Sequence, residues 1–138
     1  MIKRLNRDAL ALGACMSIDH LDYRQLSELL FTPQGREFCE KNKFPSLESF
    51  QEMKPNITKD MGVFIDYGSI RRTNDINIAL IGNTSAELEI SDPNVVHKVI
   101  LMHGAKAVIN AKNYTVLLVV KIGNCKLVIN KDETVKVL

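Results

Sequence analysis

The C-terminal half of the chain repeats a pattern in which apolar residues occupy every second position. The successive copies follow one another at almost equal spacing. They are Ala86, Leu88 and Ile90, then Ala105, Ala107 and Ile109, then Cys125, Leu127 and Ile129. A nearly fixed period of this length is typical of a chain that coils into stacked β-strands. Because side chains along a strand alternate between two faces, we expect the repeated residues to form inward-pointing columns.

The residues between the repeated positions should point outward. In the three copies they are Glu87 and Glu89, Lys106 and Val108, and Lys126 and Val128. If Ala86 stacks on Ala105, Glu87 lies beside Lys106. Such an exposed ion pair contributes about 0–1 kcal/mol, so it affects the register of the strands more than the stability.

Two flanking columns keep the same period and give the fold prediction. They are Ile76, Val95, Tyr114 and Thr134, and Leu80, Val99, Leu118 and Leu138. Each repeat therefore consists of two short strands joined by turns rich in Gly and Asn. The predicted fold is a short right-handed parallel β-solenoid of about three rungs. Because a strand, Gly-Asn and a second strand also form hairpins, an antiparallel meander, sandwich or barrel is the alternative.

The sequence before the repeats has helical spacing. Leu26, Leu29 and Leu30 fit one helix, while Thr32 before Pro33, and Ser46, are typical N-caps of two more. Residues 62–67 are predicted to form a strand that leads into the repeats. We expect residues 1–60 to be a short-helix region that packs on or caps the solenoid, residues 61–138 to be the β-repeat region, and both to form one compact unit.

Charge and cysteine content narrow the classes of protein. The net charge of +2 predicts no particular partner, and the basic clusters lack the interleaved aromatic residues of a nucleic-acid surface. We therefore expect no nucleic-acid partner. Cys15, Cys39 and Cys125 are odd in number and widely spaced. We expect reduced thiols and a cytoplasmic protein.

The N-terminus resembles a lipoprotein signal in outline. Lys3, Arg4 and Arg7 precede a short apolar run that ends before Cys15. The run over residues 9–14 is shorter than the about 7–15 residues that a signal core needs. We therefore expect neither lipoprotein export nor a membrane association.

Catalytic and metal motifs are missing from the sequence. The histidines His20, His97 and His103 have no cysteine or carboxylate at metal-ligand spacing. Ser17, with His20 and Asp22, lacks the Gly-rich turn that presents a nucleophilic serine. The sequence therefore predicts no catalytic residue, no cofactor and no metal site. Its outward columns also lack the paired acids that a polysaccharide-cleaving enzyme requires.

Two segments carry a resemblance to known proteins. They are residues 103–109 continuing to Tyr114, Cys125 and residues 131–135, and residues 31–53 with Thr32, Pro33, Gln34, Gly35 and Arg36. In them the chain resembles small uncharacterised β-solenoid proteins encoded by gut anaerobes and their prophages, a family that implies no activity. The repeat pattern is also similar to right-handed β-helices such as bactofilins and phage tail-spike modules. That resemblance implies self-assembly, a phage or mobile-element origin, and a virion-associated location if the chain is phage-encoded.

These observations favour a non-enzymatic structural or protein-interaction module. The alternatives are a polysaccharide-acting β-helix enzyme and a nucleic-acid-binding accessory protein. The candidate interaction surface consists of Val108, Val128, Val135, Val137 and Leu138. We expect a homo-oligomer formed through the C-terminal rung or the outer apolar residues, with another protein as a further candidate partner.

Overall fold

The computed structural model describes residues 2–14 and 20–138. Their contacts divide the chain into two compact units, Met1–Met61 and Gly62–Leu138. Cys15, one of the three predicted reduced thiols, and Ser17 of the serine-histidine-aspartate set lie outside the described residues. None of the helices in the described segments is both long and apolar enough to cross a bilayer.

The first unit is helical, as predicted. It contains α1 (Ile2–Ala11), α2 (Tyr23–Leu30), α3 (Pro33–Asn42) and α4 (Leu47–Met53), followed by single 3-10 turns at Lys54–Asn56 and Lys59–Met61.

The predicted N-caps of α3 and α4 are confirmed. The Thr32 hydroxyl accepts a hydrogen bond from the Gly35 amide at 3.1 Å, and the Ser46 hydroxyl accepts one from the Ser49 amide at 3.2 Å. Each cap satisfies an amide of the first helical turn that has no partner within the helix. Gly35 is also required sterically, because a Cβ there would lie 1.9 Å from the Leu29 carbonyl oxygen.

The second unit is a right-handed parallel β-solenoid of about four turns. Its strands are β1 (Val63–Ile65), β2 (Gly68–Thr73), β3 (Asn77–Ile81), β4 (Thr84–Ile90), β5 (Val96–Met102), β6 (Lys106–Ala111), β7 (Val116–Ile122), β8 (Lys126–Lys131) and β9 (Lys136–Val137). Odd-numbered strands form sheet A in the order β1-β3-β5-β7-β9, and even-numbered strands form sheet B in the order β2-β4-β6-β8. All pairings among these strands are parallel. The solenoid prediction is confirmed, and the antiparallel alternative is excluded.

The solenoid has one turn more than the three expected from the repeats. The additional turn consists of β1 and β2. Val63 of β1 pairs with Ala79 of β3, whereas Asn77 of β3 pairs with Lys98 of β5, so the first turn is shorter than the turn that follows it. This shorter length is why the first turn lies outside the period of the later ones. The segment predicted as a strand leading into the repeats contains β1, which is therefore the first strand of the solenoid.

The predicted register is correct between the second and third copies and wrong between the first and second. Ala107 pairs with Leu127, as predicted. Ala86, however, pairs with Ala107 and not with Ala105. A shift of two residues keeps every side chain on its own face of the strand, so the alternating pattern did not reveal it.

The predicted flanking columns in sheet A also need correction. Leu80 pairs with Leu101 rather than Val99, and Val99 pairs with Val119 rather than Leu118. The second error is a slip of one residue, which exchanges the two faces of β7. It arose because β7 is apolar on both faces and carries no alternating pattern to fix its register.

The core lies between the two sheets. Its buried residues alternate along the strands, as Ala86, Leu88 and Ile90 do in β4 and Leu80 does in β3. In sheet A the opposite face is buried as well. The buried residues there include Val63, Ile65, Ala79, Ile81, Ile100, Met102 and Ile122. Sheet A therefore has the two-sided apolar pattern of a parallel sheet, whereas sheet B has one apolar and one polar face.

Candidate interaction surface

The outer face of sheet B presents three outward columns. In strand order they are Ser69, Ser85, Lys106 and Lys126; Arg71, Glu87, Val108 and Val128; and Thr73, Glu89, Asn110 and Asn130. Strands β6 and β8 therefore present the same outward triplet of lysine, valine and asparagine in consecutive turns. This repetition comes from the related segments KAVIN and KLVIN in the sequence.

The carboxylate of Glu87 pairs with Arg71 and not with Lys106. The distance from Arg71 Nη2 to Glu87 Oε1 is 3.0 Å, and the two side chains are 76% and 43% exposed. The predicted Glu87–Lys106 pair is wrong because of the register shift, which places Ser85 beside Lys106. Since exposed ion pairs are screened by solvent, the observed pair contributes about 0–1 kcal/mol.

A chain of side-chain hydrogen bonds runs across three strands of this face. The Asn110 amide donates to Glu89 Oε1 at 2.9 Å, and the Asn130 amide donates to Asn110 Oδ1 at 2.9 Å. We refer to these three residues as the amide ladder. It fixes the register of β4, β6 and β8 on the solvent side.

Val108 and Val128 are neighbours in the central outward column, in β6 and β8. Their exposed fractions are 38% and 52%. Of the other predicted surface residues, Val137 and Leu138 are exposed. Val135 is 5% exposed and packs in the core, because it lies on the inward side of the last turn. Val135 therefore contributes no surface.

The two ends of the solenoid differ in exposure. In sheet A, all three residues of β1 are buried and both residues of β9 are exposed. In sheet B, neither end strand, β2 or β8, has a buried residue. β8 is hydrogen-bonded to β6 on one side and, among the described strands, to none on the other. Its inward residues Leu127 and Ile129, with Cys125 before them, pack only partly against the core. We refer to β8 and β9 together as the C-terminal rung.

The first turn contains a polar group that the alternating apolar pattern does not predict. Arg72 occupies an inward position in register with Leu88. Its guanidinium lies 5.3 Å from the centre of the Phe64 ring and donates two hydrogen bonds to Asp75, at 2.8 and 3.1 Å. The bonds to Asp75 raise the pKa of Arg72. The sequence contains one signal for this group, because Arg72 occupies a position at which the alternating pattern predicts an apolar residue.

His97 is fully buried and serves as a structural residue. Its Nδ1 lies 2.8 Å from the carbonyl oxygen of Asp75 and its Nε2 lies 2.9 Å from that of Asp92. The ring thus connects the loop before β3 to the loop before β5. In residues 2–14 and 20–138, no three His, Cys, Asp or Glu side chains are grouped so that they could hold a metal ion.

Two other predicted residues have structural positions. Asp22 is the N-cap of α2, where its carboxylate accepts from the Gln25 amide at 2.8 Å. His103 adopts a left-handed backbone conformation with φ of 56° in the turn after β5. The same conformation recurs at Asp66, Gly82 and Gly123, at the corners that follow β1, β3 and β7.

The two described cysteines are free thiols in different surroundings. Cys39 is buried in the helical unit, and burial raises the pKa of its thiol to about 12 because the thiolate is poorly solvated there. Cys125 is half-buried just before β8, where its Sγ lies 3.6 Å from the Ile122 carbonyl oxygen.

Charge is distributed unevenly along the solenoid. Residues 62–95 contain five acidic and two basic residues, whereas residues 96–138 contain seven lysines and two acidic residues. Six of these lysines are exposed: Lys106, Lys112, Lys121, Lys126, Lys131 and Lys136. Three of the six, Lys126, Lys131 and Lys136, lie in the C-terminal rung, whose two strands contain no acidic residue.

No family model, curated protein or solved structure matches this chain significantly. The resemblance to proteins of gut anaerobes and prophages stays a prediction from the sequence.

Proposed function

We propose that the protein is a non-enzymatic structural module that associates with itself through the C-terminal rung. The observation that carries this proposal is the state of β8. One edge of this strand has backbone groups without a strand partner among the described residues, and its inward side chains are only partly buried. Exposed edges of this kind pair readily with another chain.

The contrast with the first turn supports the choice of this end. There, Phe64 is buried and the Arg72 guanidinium, held by Asp75, covers its ring. At the C-terminal rung, Val137 of β9 is 38% exposed and Leu138 is 57% exposed. Leu127 and Ile129 of β8 are only partly buried, as Ile70 of β2 is at the other end. Burial of these apolar side chains by a second molecule would contribute about 25 cal/mol per Å².

The outer face of sheet B fits a structural role better than the alternative of a polysaccharide-acting enzyme. Glycoside hydrolysis requires two carboxyl groups that face one sugar bond. The outward carboxylates of this face each have another partner, because Glu87 pairs with Arg71 and Glu89 accepts from Asn110. They act as parts of the strand register.

Light scattering after size exclusion tests the proposal, with the native chain compared with Val128→Lys and Val108→Lys at micromolar concentration. We expect the native chain to dimerise, Val128→Lys to abolish the dimer, and Val108→Lys to retain it. The two valines share one outward column, but only Val128 belongs to the edge strand. A native monomer would overturn the proposal. Equal loss of the dimer in both variants would indicate that the outer apolar residues, and not the edge of β8, form the contact.

A further inference from the structure

The direction of the backbone groups in β8 defines what can pair with it. The Lys126 amide donates to the Ala105 carbonyl oxygen at 3.2 Å, so residue 126 is bonded toward β6. Because successive residues of a strand direct their hydrogen-bonding groups to opposite sides, Val128 and Asn130 are also directed toward β6. The amides and carbonyls of Leu127 and Ile129 are directed to the open edge.

β8 is complementary to itself in an antiparallel arrangement centred on Val128. In this register Leu127 lies opposite Ile129 of the second copy, and each such pair exchanges two backbone hydrogen bonds. Both residues point inward, so the two cores become continuous. Lys126 lies opposite Asn130 of the second copy, and the Asn130 Oδ1 is an available acceptor because its amide is the group that donates to Asn110.

Neighbouring registers are poorer. Centring the pair on Ile129 places Leu127 opposite Lys131 and directs a charge toward the core, which is costly. Moving the twofold axis to a point between two residues places the inward residues of one copy opposite outward residues of the other. Centring on Leu127 leaves Asn130 and Lys131 without strand partners. The Val128-centred register is the one in which residues 126–130 all have an acceptable partner.

The first turn is a poor partner for the same edge. Head-to-tail stacking would pair β2 with β8 and place Arg72, an inward residue of β2, beside the partly buried inward residues Leu127 and Ile129. Enclosing a guanidinium among apolar side chains is costly, so a repeating filament is disfavoured relative to a closed dimer.

From these relationships we infer that two copies join tail to tail, by antiparallel pairing of their β8 strands about a twofold axis through Val128. The inference rests on the proposed function and specifies its partner, symmetry and register. In the dimer, sheet B becomes a continuous sheet of eight strands. The lysines of both C-terminal rungs come together, so the association should strengthen as salt screens their repulsion.

Cysteine crosslinking tests the register. Val128 does not exchange backbone hydrogen bonds with its symmetry mate, so the two Cα atoms lie about 4.5 Å apart, within the range of a disulfide. Val128→Cys should therefore form a covalent dimer under mild oxidation. Val108→Cys is the matched control, because two further strand spacings separate its Cα atoms by about 14 Å. We expect at least about tenfold more covalent dimer from Val128→Cys than from Val108→Cys or the native chain, on intact-mass analysis.

Each outcome bears on a different claim. Crosslinking at Val128 together with more dimer at about 0.5 M than at about 0.05 M salt supports the inference. A dimer by light scattering in which Val128→Cys crosslinks no faster than Val108→Cys overturns the register but leaves self-association intact. A native chain that stays monomeric at both salt concentrations overturns the inference and the proposed function together. That result would indicate that a different protein pairs with the open edge of β8.

Discussion

Asn130 lies beside Asn110 in the neighbouring strand and donates its side-chain amide to Oδ1 of Asn110 over 2.9 Å. Asn110 in turn donates its own side-chain amide to Glu89. The central member of the amide ladder thus takes part in two hydrogen bonds, whereas each end member takes part in one. Removal of the central residue should therefore lower the free energy of unfolding more than removal of an end residue.

We predict that Asn110→Ala lowers the free energy of unfolding by about 1 kcal/mol, and that Asn130→Ala lowers it by about half as much. Urea denaturation measures both values. Lys112→Ala is the control, because Lys112 is exposed in a turn and should change the free energy by less than about 0.5 kcal/mol. Losses below about 0.5 kcal/mol in both asparagine variants would show that the ladder does not stabilise the sheet.

The alternation in β6 gives a second prediction. Ala107 is buried and Lys106 is exposed, although they are adjacent. Ala107→Arg places an unpaired charge in the core, so we expect a loss of more than about 4 kcal/mol and an unfolded or aggregated protein. Lys106→Ala should cost less than about 0.5 kcal/mol. Circular dichroism and thermal melting distinguish them, and similar tolerance at both positions would contradict the assigned faces.

Replacement of each of two buried threonines by valine should change the free energy of unfolding in opposite directions. The Thr115 hydroxyl is fully buried and has no hydrogen-bond partner within the described part of the chain, whereas the Thr84 hydroxyl accepts from the Tyr67 amide and lies 3.0 Å from the Ile81 carbonyl oxygen. Thr115→Val should raise the free energy of unfolding by about 1 kcal/mol, because it removes an unsatisfied polar group. Thr84→Val should lower it by about 1–3 kcal/mol. Denaturant titration of both variants decides, and a destabilised Thr115→Val variant would refute the assignment.

The thiol of Cys39 gives a prediction on pH. Burial raises its pKa from 9.0 to about 12 in the folded protein. Well below pH 9 the thiol is protonated in both states, and its contribution to stability is fully present. As pH rises above 9, the unfolded thiol ionises first, so unfolding releases a proton and stability falls. Between pH 8 and about 10.5, Cys39→Ala should therefore lose less stability than the native chain. Parallel pH profiles would contradict the assigned environment.

The sequence was sufficient for the architecture because alternation and period report on strand faces and on the length of a turn. The parallel solenoid and the caps Thr32 and Ser46 follow from such local patterns. The register between Ala86 and Ala107 did not follow, because a shift of two residues leaves every face unchanged. The pairing of Arg72 with Asp75 was also missed, since an inward arginine breaks the pattern that identifies inward positions.

The candidate surface was predicted in part. The stacking of Val108 and Val128 depends only on the period that relates the last two copies of the repeat, which the sequence contains. Val135 was placed on the surface because its position within the final turn was unknown, and the structure puts it in the core. The lysine-rich C-terminal rung could have been noticed from the distribution of charge alone.

Hydrogen exchange of the native chain tests self-association through the C-terminal rung most directly. The amides of Leu127 and Ile129 face the open edge of β8, whereas the amides of β6 are enclosed between β4 and β8. Exchange would be followed by mass spectrometry on the segments 126–131 and 106–111, at low and at high micromolar protein concentration. Pairing of β8 with a second copy predicts that exchange in 126–131 slows as concentration rises while exchange in 106–111 stays constant. Identical exchange of 126–131 at both concentrations would contradict the account.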